Sequence, residues 1–184
     1  MRYPKECVLK GCEEAVIRPL EAADEPLLQQ FYQAIPEHDR WYMRYDTTDP
    51  AIIRKWIDGI EAANVYSIIA LCGGCIVGHG SLHRRGFGST RHVGRFRITV
   101  MPEFRNKRLG TWLLLDLIQL AIDLGLEDLR TDLVVGPEDP AIEAVRKFDF
   151  IKRAQLRNYA KDPEGTRHDM VIMVKRLHRE WSDY

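Results

Sequence analysis

The sequence has no apolar run long enough to span a bilayer. Residues Met1 to Glu14 are mixed and charged and contain no apolar stretch of the signal-peptide kind. It also lacks net charge: 27 Lys and Arg face 27 Asp and Glu, so no global field favours nucleic acid or an anionic membrane. There is no G-x-x-x-x-G-K-[ST] phosphate loop, no H-E-x-x-H, no G-x-S-x-G and no full Rossmann fingerprint. Internal repeats, low-complexity tracts and linkers are missing too. These absences lead to the expectation of a cytoplasmic chain with reduced cysteines and neither membrane nor nucleic acid as a partner. What remains is an ordinary globular composition, 45% apolar and 29% charged over 184 residues. That length suits a single domain spanning 1–184, with its core at about 14–177.

The charge is unevenly placed. From Arg84 to Arg108 there are eight cations (Arg84, Arg85, Arg91, Arg95, Arg97, Arg105, Lys107 and Arg108) against one acid, Glu103. A basic patch inside a neutral chain suggests a polyanionic ligand of limited size. Few aromatics interleave with these cations, only Phe87 and Phe96 between Arg84 and Arg97, which counts against nucleic acid.

Periodicity sets the order of elements. Ala15 to Leu20 reads as a strand, and Ala23 to Ala34 as a helix with Leu27, Leu28, Phe31 and Ile35 on one stripe. Asp49-Pro50 opens a second helix as N-cap and first helical residue. Val65–Leu71 and Cys75–Leu82 form a hairpin about Gly73-Gly74, a turn that needs positive φ. Arg84–Arg91 is a loop and Val93–Met101 a long strand. Leu109–Leu124 is the strongest helix and stops at Gly125. Leu129–Val135 is a strand, Pro140–Phe148 a short helix, and Ile151–Ala160 and Asp169–Leu177 two antiparallel strands. No signal emerges from His178 to Tyr184. This order implies an α/β fold, a mixed sheet with helices on both faces.

The most informative stretch runs from Val100 to Thr111. An apolar strand passes through a short basic loop straight into an amphipathic helix. The first N–H groups of a helix lack internal partners and its dipole favours negative charge, so this junction suits a pyrophosphate. Arg105, Lys107 and Arg108 add cations at the same place.

This order and loop resemble the GNAT family of acetyl-CoA-dependent N-acetyltransferases over roughly Val16 to Leu177. The family loop, Arg/Gln-x-x-Gly-x-Gly/Ala, reads here as Arg105-Asn106-Lys107-Arg108-Leu109-Gly110, with Arg108 in place of the middle glycine. Val100-x-Pro102-x-Phe104-Arg105 and the stretch Asp139-Pro140-Ala141 to Phe150 are also similar to the family.

The resemblance implies a GNAT-like, mostly antiparallel central sheet. Acetyl-CoA is the implied co-substrate, and the acceptor is a primary amine on a small molecule, an amino acid or a protein lysine. The amine would attack directly. The implied cofactor residues are Val100, Met101, Arg105, Asn106, Lys107, Arg108, Leu109, Gly110 and Thr111. The pantetheine arm would enter where Val93–Met101 splays from Leu129–Val135 and pair with backbone at Val100 and Met101. A backbone N–H near Met101 would face the thioester oxygen.

Two positions depart from the family's acid–base pattern: Arg95 stands where a glutamate is usual and Val145 where a tyrosine is usual. Asp149 replaces a usual glycine. His83 and Tyr159 are the substitutes by residue type, with His92, Glu37, His38 and Asp39 behind them. The missing groups also suit an alternative, a catalytically weak module that binds acetyl-CoA or CoA and reports it to a partner.

Pro36 to Tyr45 is similar to a segment of bacterial protein-lysine acetyltransferases and would shape the acceptor side. Cys7, Cys12, Cys72 and Cys75 could together bind zinc. Free thiols packed as small hydrophobes are the preferred reading, and no metal is expected. Ile151–Ala160 and Asp169–Leu177 could also pair across a homodimer.

Overall fold

The computed structural model describes residues 3–11, 13–61 and 64–177. In chain order the elements are β1 (Lys5–Val8), β2 (Glu14–Pro19), α1 (Glu25–Ala34), α2 (Glu37–Arg40), α3 (Pro50–Glu61), β3 (Val65–Cys72), β4 (Cys75–His83), β5 (Val93–Val100), α4 (Leu109–Asp123), β6 (Asp128–Val134), α5 (Asp139–Arg146), β7 (Ile151–Lys161) and β8 (Arg167–Arg176). Single 3-10 turns at Ala22–Asp24 and Pro102–Phe104 precede α1 and follow β5. The strands are ordered β1-β2-β3-β4-β5-β6-β8-β7. Pairs β1–β2, β2–β3, β3–β4, β6–β8 and β7–β8 are antiparallel, and β5–β6 is parallel. The expected mixed, mostly antiparallel α/β fold is what the chain forms.

Two elements escaped the sequence reading. Strand β1 pairs with β2 and buries Cys7, whose thiol donates to the Ala15 carbonyl at 3.3 Å. Four residues with one buried side chain are too few to show a period. The single turn of α2 lies inside the Pro36–Tyr45 segment, to which no element was assigned. The long strand stops at Val100 rather than Met101, because Met101 opens the turn at Pro102.

The described residues fall into two compact units, one made of those up to His83 with 97–117, the other of 84–96 with 118–177. In the first, the two faces of the β3–β4 hairpin carry different loads. One face joins α1 and α3 in a core of Leu20, Leu28, Phe31, Tyr32, Ile35, Ile53, Ile69 and Ile76. Asp49 caps α3 as expected, its carboxylate accepting the Ala51 N–H at 2.9 Å. The other face meets α4. A Cβ on Gly78 would stand 3.0 Å from Leu113 Cδ1, and one on Gly80 would stand 3.2 Å from Leu117 Cδ1. Glycine at both positions is what lets Leu109, Leu113 and Leu117 press onto the strand.

The hairpin is irregular at one place. Ala70 pairs with Gly78 but Leu71 pairs with Ile76, so Val77 is an extra residue. Its carbonyl accepts the Met101 N–H at 3.0 Å. The tip, Gly73-Gly74, has the expected positive φ at both residues, 57° and 81°.

In the second unit, β5 pairs with β6 through Val93, Gly94 and Arg95 against Asp128, Leu129 and Arg130. Phe96 and Phe150 pack with ring centroids 5.4 Å apart. β7 and β8 pair with each other within the chain. β7 ends the strand order, with Lys152, Arg153, Arg157 and Lys161 exposed along it.

Of the four cysteines, Cys12 lies outside the described residues. Cys7, Cys72 and Cys75 are free thiols. Cys72 and Cys75 face each other across the hairpin tip. Among the described residues no group of three or more His, Cys, Asp or Glu could hold a metal ion. None of the helices described is long and apolar enough to cross a membrane.

Candidate active site

The loop from β5 into α4 is shaped by its backbone. Asn106 has φ 59° and Arg108 has φ 70°, both left-handed. Backbone that enters the left-handed region in this way turns successive N–H groups into one concavity, a nest suited to an anion. The hydrogen bond that opens the α4 ladder runs from the Trp112 N–H to the Arg108 carbonyl at 3.1 Å. The N–H groups of Leu109, Gly110 and Thr111 therefore precede the helical ladder. Space is open at Gly110, where a Cβ would meet only Val100 Cγ2 at 3.9 Å. The family's middle glycine now has a physical reason. Arg108 holds a left-handed conformation at a cost of about 1 kcal/mol relative to glycine.

Two of the loop's three cations are held by neighbouring carboxylates. Arg105 donates from Nη2 to Asp39 Oδ2 at 2.7 Å and from Nε to the Val100 carbonyl at 3.2 Å. Lys107 donates to Glu13 at 2.6 Å and its carbonyl accepts the Lys10 N–H at 3.2 Å, which ties the loop to the N-terminal segment. Arg108 and Asn106 are exposed, and Leu109 is fully buried beneath the helix start.

The expected donor lies near Met101. The N–H of Met101 itself is committed to Val77, so it is part of the fold rather than a vacant oxyanion donor. A donor near Met101 has to be a different N–H or has to leave Val77.

The acid–base candidates scatter. His83 is half-buried on β4, with Nε2 3.2 Å from Ser81 Oγ. Tyr159 is 66% exposed on the terminal strand β7, a solvent-facing position. His92 accepts the Glu127 and Asp128 N–H groups at its carbonyl and sits 3.9 Å from the Asp128 carboxylate. Glu37, His38 and Asp39 share α2, and His38 approaches Asp39 at 3.5 Å. Arg95 pairs with Asp132 at 2.9 Å, and Val145 is buried on α5. Asp149 has φ 62°, which explains why glycine is usual there.

One cluster was missed. The Tyr32 hydroxyl lies 2.7 Å from His79 Nδ1, joining α1 to β4. The His79 ring stacks on Trp56 at 5.9 Å, and Trp56 also meets Tyr32 edge-on. Burial is the main cause of two shifts. It lowers His79 to about 3, with the charge of His83 adding to it, so the imidazole is neutral. It raises the Tyr32 phenol above its ordinary range, against a hydrogen bond from Thr99 and the charge of Arg97. His79 Nε2 is buried with no partner among the described residues. Strand alternation puts Ser81 and His83 on the same side of β4 as His79. The result is a polar strip under α1 and α3, two residues from the Val77 bulge. A stripe of 28, 31, 32 and 35 on α1 could have marked Tyr32 as buried. Nothing local to the sequence joins it to a histidine 47 residues away.

With this geometry in place, comparison settles the class. The acetyltransferase (GNAT) family signature matches residues 27–150, two-thirds of the chain, and this protein belongs to that family. A GNAT-family acetyltransferase from Streptococcus pneumoniae superposes with TM-score 0.79 at 21% identity, covering 89% of this chain and 99% of that one. YncA from Salmonella typhimurium, solved with its cofactor acetyl-CoA, gives TM-score 0.78 at 20% identity over 91% and 96% of the two chains. A ribosomal-protein-alanine N-acetyltransferase from Brucella melitensis gives 0.75 at 23% identity over 88% and 99%. No curated protein matches the sequence.

The residues present fit a pyrophosphate-bearing cofactor: the left-handed pair Asn106 and Arg108, the N–H groups ahead of the α4 ladder and the open space at Gly110.

Proposed function

We propose that this protein is an N-acetyltransferase that moves an acetyl group from acetyl-CoA to a primary amine of a small molecule, an amino acid or a protein lysine. The observation that carries the reading is the left-handed pair Asn106 and Arg108 at the N-terminus of α4. The backbone of Arg108 to Thr111 would hold the pyrophosphate, with Arg105, Asn106 and Lys107 at its rim. Val100 and Met101 would align the pantetheine arm. Acetyl-CoA supplies the activated acetyl thioester. The chain's part is to hold amine and thioester together, which is where much of the acceleration in such a direct transfer comes from. The domain is read as a single transferase unit, about 14–177, working in the cytoplasm.

A second reading, a CoA-binding module without turnover, draws on Arg95 being paired with Asp132 and Val145 being buried. Neither side chain can exchange a proton with an amine or a thiolate. Two measurements test both. Calorimetry with acetyl-CoA, using ATP and NAD as controls, should show selective binding. Amine-dependent release of CoA across a panel of small amines and lysine peptides then separates enzyme from module. Absence of acetyl-CoA binding would remove both readings.

A further inference from the structure

The contact between Arg105 and Asp39 joins two stretches that are 66 residues apart. Arg105 is the first residue of the cofactor loop, and Asp39 lies on α2, in the segment between α1 and α3. The same guanidinium also covers the Val100 carbonyl, through Nε at 3.2 Å. One side chain thus occupies a backbone acceptor wanted by the pantetheine arm while its charge is neutralised by a carboxylate. The Arg105 side chain is 41% exposed and that of Asp39 is 25% exposed, so the pair sits where an incoming polyanion can reach it.

We infer that Asp39 is a positioning residue that competes with the cofactor for Arg105, so that binding exchanges the Asp39 carboxylate for a phosphate. This rests on the cofactor reading above. Arginine is suited to such an exchange, because its fork of donors fits carboxylate and phosphate equally well. When the guanidinium leaves Asp39 it also leaves the Val100 carbonyl, so one movement opens the strand end and supplies the cation. Asp39 then stands without its partner on the segment expected to shape the acceptor side. Cofactor binding and acceptor-side charge are thereby linked through a single ion pair. No bond is made or broken, and the step is an exchange of salt-bridge partners.

The test is a double-mutant cycle read by calorimetry with CoA on the full chain: the unaltered protein, Asp39→Asn, Arg105→Ala and the double variant. Asp39→Asn is expected to tighten CoA binding by about two- to fivefold, the scale of a partly exposed ion pair. In the Arg105→Ala background the same change is expected to have no effect. Tightening is a result that a merely structural lesion does not produce. Weaker binding by Asp39→Asn would overturn the inference, because Asp39 would then be holding Arg105 in place for the cofactor. Equal tightening in both backgrounds would also overturn it, as a general effect of removing a negative charge. If none of the four proteins binds CoA, the cofactor reading itself fails and takes the inference with it. Binding that ignores Asp39 defeats the inference alone.

Discussion

The loop between β5 and α4 and the Tyr32–His79 cluster are built in opposite ways. The loop is a contiguous stretch, half exposed, and its shape resides in backbone angles at Asn106 and Arg108. The cluster is assembled from α1, α3 and β4, with Tyr32 and His79 buried and Trp56 half-buried over them, and depends on side-chain atoms alone. A shape held by backbone can survive side-chain change, and Arg108 keeps the left-handed conformation of a glycine position. A site held by buried polar side chains does not tolerate such change, because each unmade hydrogen bond there costs the full desolvation of its partner. Binding and stability should therefore respond to different mutations.

The largest expected effect strikes the loop. Gly110→Trp fills the space above the α4 terminus, where only Val100 Cγ2 lies near. It should lower acetyl-CoA affinity by about a hundredfold or more, a loss of about 3 kcal/mol, while circular dichroism remains unchanged. Normal binding would move the cofactor site elsewhere. Next comes the cluster. His79→Ala removes a buried ring packed between Tyr32 and Trp56 and should cost about 2–4 kcal/mol in urea unfolding. A mild effect there, under about 1 kcal/mol, would erase the contrast between the regions.

Acidity should separate them further. His79 is held neutral down to about pH 3, whereas in the unfolded chain it takes up a proton below about 6.5. The unfolded state therefore binds more protons across this window. Stability contributed by His79 is present above about pH 6.5 and is lost as the pH falls towards 3. Urea midpoints measured from pH 7 to pH 4.5 should decline, and His79→Gln should flatten that decline. An unchanged slope would mean that carboxylates alone carry the acid sensitivity. The smallest effect returns to the loop: Arg108→Gly relieves the left-handed strain and should stabilise the protein by about 1 kcal/mol. Glycine also loosens the unfolded chain, so a null or negative result would show that this entropy outweighs the strain.

The same contrast explains how far the sequence can be read. The form of the loop was legible because it is local: strand, basic turn and helix start follow one another from Val100 to Thr111. The hairpin, α3 and α4 were legible for the same reason, each carrying its period and its stop signal. Strand β1 was not, since four residues with one buried side chain carry no pattern. The Tyr32–His79 contact was invisible because it spans 47 residues, and Asp39 was named only as a candidate by type, without its partner Arg105. Arg95 was read as standing where the family usually has a glutamate. Its pairing with Asp132, two residues along the neighbouring strand from its register partner Arg130, is a fact of sheet register.

The Val77 bulge has a consequence for how this chain can vary over evolutionary time. Because the Val77 carbonyl anchors the Met101 N–H, the length of β4 between Ile76 and Gly78 sets where β5 ends. Insertions at the Gly73-Gly74 tip leave that measurement intact and should be accepted. A deletion of one residue at Val77 would restore a regular hairpin, yet it would shift the strand's two faces and unseat Met101. The irregular residue is thus the one whose count descendants of this gene are least free to change.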